Sequence, residues 1–247
     1  MAEKSGFDFY LEEIRSMIKG AQERERGNIF KAAEMIAESL ANGGVLHAFG
    51  SSHSLILAKE IFYRAGGLAP INLISASGMR VEDGTSSTWL ERQEGYATRV
   101  LDKYQNTPGE VMLIVSTSGR NAVPIEMALE AKKRGLKVIA LTSLTYSKSV
   151  ESRHSSGKKL FEVADIVIDN GAVPGDAIVK VEGVPHKVGP ASCVVGCAIL
   201  HALVVRVVEI MVGKGLEPPV WLAANVPGGD ETNTKYLNKY KARIKHL

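Results

Sequence analysis

The 247-residue chain is predicted to fold as an α/β protein, a three-layer αβα sandwich around a five-stranded parallel sheet. Three observations predict this. Five short apolar runs, at residues 45–49, 70–74, 111–115, 137–141 and 166–168, alternate with stretches of helical periodicity. That order gives right-handed crossovers and helices on both faces of a parallel sheet. The third run, Val-Met-Leu-Ile-Val, has no polar alternation, as expected of a strand covered on both sides. It empties into Ser116-Thr117-Ser118-Gly119-Arg120-Asn121 just before another helical stretch, an arrangement that aims an anion at a helix N-terminus beyond a strand's carboxyl end.

Taken in order, Leu11, Ile14, Ile18, Ile29, Ala33, Ile36 and Leu40 recur at helical spacing and predict a helical lead-in, with Gly20 or Gly27 as an interruption. Asn42-Gly43-Gly44 breaks it. The first strand ends at Gly50-Ser51-Ser52-His53, and residues 55–63 return to helical character. The second strand precedes a polar loop and a helix over about 89–104. The helix after the third strand, residues 123–134, carries Pro124 in its first turn, where N–H groups lack internal partners, and stops at Gly135, a left-handed cap. A polar loop (143–156), a short helix (158–164) and the fifth strand follow, then Asp169-Asn170-Gly171. Residues 177–181 read as a further short strand. An apolar helix spans about 191–211, after a loop through Pro185-His186-Lys187, and a second loop at 225–233 leads to a basic C-terminal helix. One domain is expected over 1–247, with the lead-in at about 1–42 and a helical tail at about 231–247.

Composition narrows the function classes. Hydrophobic residues at 45% and charged residues at 23% suit a globular protein. No apolar run is expected to be long enough to span a bilayer, and the acidic start, Glu3 to Asp8, does not resemble a secretory signal. A cytoplasmic location and no membrane partner are expected. A net charge of +3 is too mild to argue for nucleic acid, so Lys235, Lys239, Lys241, Arg243 and Lys245 are read as a solvated face. Cys193 and Cys197 share one face of an apolar helix and read as packing residues. The histidines form no spaced ligand set with cysteines or carboxylates, so neither a cofactor nor an obligatory metal is predicted.

The loops Gly50-Ser51-Ser52-His53 and Ser116-Thr117-Ser118-Gly119-Arg120-Asn121 resemble the phosphosugar-binding signature of the sugar isomerase (SIS) domain family, over roughly residues 29–212. The resemblance implies a flavodoxin-like doubly wound sheet, a homodimer or homotetramer, and a phosphorylated sugar as partner. It implies that Ser51, Ser52, Ser116, Thr117 and Ser118 bind the phosphate, with Asn121 donating where relatives carry Ser or Thr. Ser118-Gly119-Arg120 is similar to the N-acetylmuramic acid 6-phosphate etherases, whereas Ser-Thr-Ser-Gly is similar to the phosphoheptose isomerases. Both chemistries begin by removing a proton beside a masked carbonyl and need an acid and a base. Glu60 and Glu94 stand where the resemblance places functional glutamates. His186, before the long apolar helix, is the third catalytic candidate, with His53 and His154 as alternatives. His201 reads as a satisfied core residue. A phosphosugar sensor without catalysis is the alternative, since the same loops would serve it.

Overall fold

The computed structural model describes residues 5–247; Met1 to Lys4, part of the expected lead-in, lie outside the described residues. The element order is α1 (Gly6–Ala41), β1 (Leu46–Gly50), α2 (His53–Glu60), β2 (Ile71–Ile74), α3 (Thr85–Leu90), α4 (Tyr96–Leu101), β3 (Val111–Val115) and α5 (Ala122–Lys133). It continues with β4 (Lys137–Thr142), α6 (Leu144–Lys148), α7 (Leu160–Val163), β5 (Ile166–Asp169), β6 (Ala177–Val179), β7 (Val188–Pro190), α8 (Ser192–Gly213) and α9 (Gly229–Tyr240). Five strands form an all-parallel sheet in the order β2-β1-β3-β4-β5, so the expected αβα sandwich is the observed fold.

Two apolar layers hold the sheet. Leu46, Ala48, Val111, Leu113, Val115, Ile139 and Leu141 face α1, α2 and α8, while Phe49, Ile74, Met112, Ile114, Val138 and Ala140 face α4, α5 and α7. The alternation along β1 and β3 between these layers is the period-2 geometry of a strand covered on both faces. A smaller cluster of Val45, Ala69, Trp221, Tyr236, Tyr240 and Ile244 docks the C-terminal segment on the sheet's amino edge.

Several expectations are corrected. The lead-in is one unbroken helix of 36 residues, because its burial along α8 offsets the roughly 1 kcal/mol that each interior glycine costs. The helix expected over 89–104 is two short helices, separated by a turn at 91–95 in which Gly95 takes a left-handed φ of 77°. The 143–156 loop contains α6. The strand expected at 177–181 pairs antiparallel with β7 as a separate hairpin. Finally, α8 has 22 residues and is long and apolar enough, by length and composition, to cross a membrane, contrary to the expectation of no such run; less than half of it is buried, its inner face lying on α1, α2 and the sheet.

Between β1 and β3 the winding reverses: β2 lies to one side of β1 and β3 to the other. Such a reversal opens a crevice at the carboxyl ends of the two strands, where α/β sheets receive ligands. Both serine loops leave the sheet there.

Candidate functional site

Gly50 begins the first loop. A Cβ there would collide with the Ser54 carbonyl, so the turn from β1 into α2 can be this tight only with glycine. Ser52 follows at φ 51° and ψ −128°, a conformation unfavourable for an L-residue, held by its N–H donating to the Met79 carbonyl at 2.8 Å. In the second loop Gly119 has φ 57°, and a Cβ would sit 3.0 Å from Ser147 Oγ.

The carbonyls of the second loop are tied back to the elements behind it. Thr117 O accepts from Ser143 N–H at 2.9 Å, Ser118 O from Ser147 Oγ–H at 2.8 Å, Gly119 O from Leu160 N–H at 2.9 Å, and Arg120 O from Arg153 N–H at 2.8 Å. The side chains are left for the cavity. It has a volume of about 390 Å³ and is lined by Ser51 to Ser54, Glu91, Arg92, Ser116 to Ser118, Arg120, Asn121, Tyr146, Arg153, Gly175 and Asp176. Among the described residues the hydroxyls of Ser52, Ser116, Thr117 and Ser118 have no protein hydrogen-bond partner.

The cavity is rich in positive charge. Arg64, Arg80, Arg134, Arg206 and Arg243 each hold a carboxylate. Arg92, Arg120 and Arg153, like Arg15, Arg24, Arg26 and Arg99 outside the cavity, have no ion pair within 4.0 Å among the described residues; Arg120 donates to the Glu151 carbonyl and Arg153 to Asn121 Oδ1. Burial, with the like charges of Arg120 and Arg92, holds the Arg153 guanidinium below its ordinary range. Of the two acids present, Asp176 is committed to the start of α8, accepting Ser192 N–H at 2.8 Å and Ser192 Oγ–H at 2.6 Å. The other, Glu91, was not among the sequence candidates. Its Oε2 accepts Ser51 Oγ–H at 2.7 Å and its Oε1 accepts the Asn121 amide. Burial pushes its carboxyl above the usual glutamate range, against the pull of Ser51 and of the Arg92 and Arg153 charges.

All six expected phosphate residues, Ser51, Ser52, Ser116, Thr117, Ser118 and Asn121, therefore line one cavity, with His53. The catalytic candidates do not join them. Glu60 ends α2, roughly 10 Å from its first turn at 1.5 Å per residue, and its Oε1 lies 3.2 Å from His201 Nε2 and 3.1 Å from Arg64 Nη1. His201 is thus no core residue: its side chain is 43% exposed and faces a carboxylate. Glu94 is exposed outside the cavity and bound to Ser155, whose hydroxyl and N–H hold its carboxyl below the usual range. His186 sits on the exposed loop before β7, also outside.

His154 belongs to a second cluster. Its ligand atom, with one from Glu94 and one from Glu126, lies in a group spanning no more than 4.8 Å, the spacing of a candidate metal site. Each member has other work: Glu126 accepts Gly95 N–H at 2.6 Å, Glu94 holds Ser155, and His154 Nδ1 accepts Ser156 N–H at 3.1 Å. The cluster fastens residues 152–156 beside the 91–95 turn and so fixes the loop that carries Arg153. Cys193 and Cys197 are half-buried on α8, their thiols pushed up by burial, as packing residues would be.

A family model described as the SIS domain matches residues 9–143. Among curated relatives, a UPF0309 protein of Geobacillus thermodenitrificans is 44% identical, covering 96% of this chain and 96% of that protein. Another, from Caldanaerobacter subterraneus, is 44% identical over 97% and 99%. Among solved structures, a phosphoheptose isomerase from Neisseria gonorrhoeae superposes with a TM-score of 0.55 at 18% identity, covering 81% of this chain and 95% of that one. One from Francisella tularensis gives 0.54 at 17%, covering 82% and 96%.

Proposed function

The chain belongs to the SIS domain family, and from that premise we propose that it binds a phosphorylated sugar or amino sugar and acts on it by proton transfer beside a carbonyl, as an aldose–ketose isomerase or an etherase-type lyase. The observation that carries this reading is the cavity at the switch point, where unpartnered hydroxyls from two loops meet three guanidiniums without carboxylate partners. A phosphate ester offers the acceptor oxygens and the charge of about −1.5 to −2 that such a lining lacks. The fold shared with the solved phosphoheptose isomerases supports the same class of substrate.

Proton transfer is assigned to Glu60 with His201. A carboxylate takes the proton from the carbon next to the carbonyl, and the developing enediolate oxygen is protonated by a neighbouring acid; an imidazole 3.2 Å from the carboxylate suits that exchange. Phosphate anchoring at the loops leaves the far end of an extended sugar to reach along α2. Glu94 is better placed to position the Arg153 loop, and His186 receives no step. The assembly proposed is a homodimer or homotetramer in the cytoplasm, without nucleic acid or membrane partners. It would form on the outer face of α8, where Val194, Val205 and Val212 are 44%, 58% and 59% exposed.

One observation favours a non-catalytic sensor: the Glu60–His201 pair stands outside the cavity that the loops line. Incubation of the protein in D₂O with a panel of aldose and ketose phosphates separates the readings. Deuterium entering the carbon beside the carbonyl supports the enzyme; tight binding without wash-in supports the sensor, and no binding of any sugar phosphate overturns both.

A further inference from the structure

Glu91 differs from every other acid at the serine loops. It terminates α3, and its carbonyl accepts the Val123 N–H of α5 at 3.0 Å, which pins its backbone to that helix's first turn. From this fixed point the side chain spans the crevice, taking Ser51 Oγ–H from the β1 loop and the Asn121 amide from the β3 loop. Asn121 stands at the N-cap of α5 but makes no side-chain cap bond; its amide is turned to Glu91 and its oxygen to Arg153. An acid thus occupies one donor from each of the two loops that the phosphate reading assigns to the ligand.

We propose that Glu91 is the resident counter-anion of the site, and that the phosphate group of the ligand takes its place on Ser51 and Asn121. The inference rests on the phosphate reading above. An ionised carboxylate and a phosphate in contact repel each other in a half-buried cavity, and both need the same two donors. The exchange needs no movement of the fold, because the Val123 bond holds the main chain while the side chain turns on its own dihedrals. Arg92 and Arg153, whose charges already act on Glu91, remain as partners for the displaced carboxylate. Tethered in this way, the carboxylate competes at high effective concentration. Glu91 therefore holds Ser51 and Asn121 in the empty protein and sets a threshold that a neutral sugar does not pass.

Titration calorimetry with inorganic phosphate and with glucose 6-phosphate, at pH 8 and constant ionic strength, tests this on the full chain. Glu91→Gln retains volume and one acceptor oxygen for the Asn121 amide, Ser51 turning its hydroxyl to accept from the new NH2, and removes the charge; it should bind both ligands at least about tenfold tighter than the wild type. Wild-type protein labelled with ¹³C at the glutamate carboxyls gives a readout that does not depend on the variant folding: one carboxyl resonance should shift as phosphate saturates the site. Equal or weaker binding by folded Glu91→Gln, or carboxyl resonances unmoved at saturation, overturns the exchange and leaves the phosphate reading intact. Binding of neither ligand by either protein overturns the phosphate reading, and this inference with it.

Discussion

Glu91 and Glu110 lie at opposite edges of the same sheet and meet opposite treatment. Glu110, beside the amino ends of the strands, is 3% exposed and fully provided for: it accepts Val45 N–H at 3.0 Å, Thr107 N–H at 2.7 Å, His47 Nε2 at 3.0 Å and Arg243 Nη2 at 2.6 Å. His47 in turn meets Asn72 on β2 at 3.2 Å, so the network joins three strands and the C-terminal segment. Burial alone would push Glu110 up, but its donors hold it below the usual range. Glu91 has only a hydroxyl and an amide, both side-chain donors from the two serine loops, and stays above that range. A buried carboxylate surrounded by fixed donors and a cation staples a fold; one held by a few exchangeable donors in an open cavity is available to be replaced.

The sharpest break of this comparison is Glu110→Ala. It strands the Arg243 and His47 groups and two backbone N–H groups, and should cost about 3–5 kcal/mol in urea unfolding. A loss below about 1 kcal/mol would show the network to be dispensable. The pH dependence carries the same sign. Because the folded-state value of Glu110 is depressed, its contribution is present in full above the ordinary glutamate range near 4.3 and is lost as pH falls through the folded value.

Next in size are effects on turnover. Glu60→Gln should lower turnover about a hundredfold with little change in KM, since the residue lies away from the phosphate cavity. His201→Ala should lower turnover in the same direction. Normal rates in both would return the chemistry to the cavity itself. Smaller still, Ser118→Leu should weaken binding of every sugar phosphate by at least about tenfold, because it removes an unpartnered hydroxyl and fills the cavity floor. Calorimetry with two unrelated sugar phosphates checks it, and a loss confined to one of them would mean that Ser118 reads the sugar.

What the residues alone reveal follows from how local each feature is. The serine loops were legible because an apolar run, hydroxyls and a glycine in direct succession admit few structures, and the reversal between β1 and β3 then brings two such loops together. Glu91 was not, because Leu90-Glu91-Arg92-Gln93-Glu94 offers two acids on an apparent helix. Only the break at Gly95 turns Glu91 into the crevice and Glu94 out toward Ser155. The setting of Glu60 was not legible either, since the imidazole that faces it stands 141 residues away on α8. An apolar stretch hid His201, since periodicity reports that a helix is buried without reporting which flank is open.

The smallest expected effect discriminates best between the two glutamates. A carboxyl whose folded-state value is raised destabilises the protein while ionised. The penalty is present in full above that raised value and is relieved as pH falls through it toward the ordinary range, the reverse of Glu110. Glu91→Gln removes the charge and keeps the shape, so at pH 8, without ligand, it should raise stability by less than about 1 kcal/mol. Thermal melts at pH 8 and pH 4.5 should show that gain shrinking at the lower pH, where wild-type Glu91 takes up its proton. A destabilised Glu91→Gln at pH 8 would mean that Arg92, Arg153 and the loop donors together satisfy Glu91 as completely as the opposite edge satisfies Glu110. The contrast between a structural and an exchangeable carboxylate would then collapse.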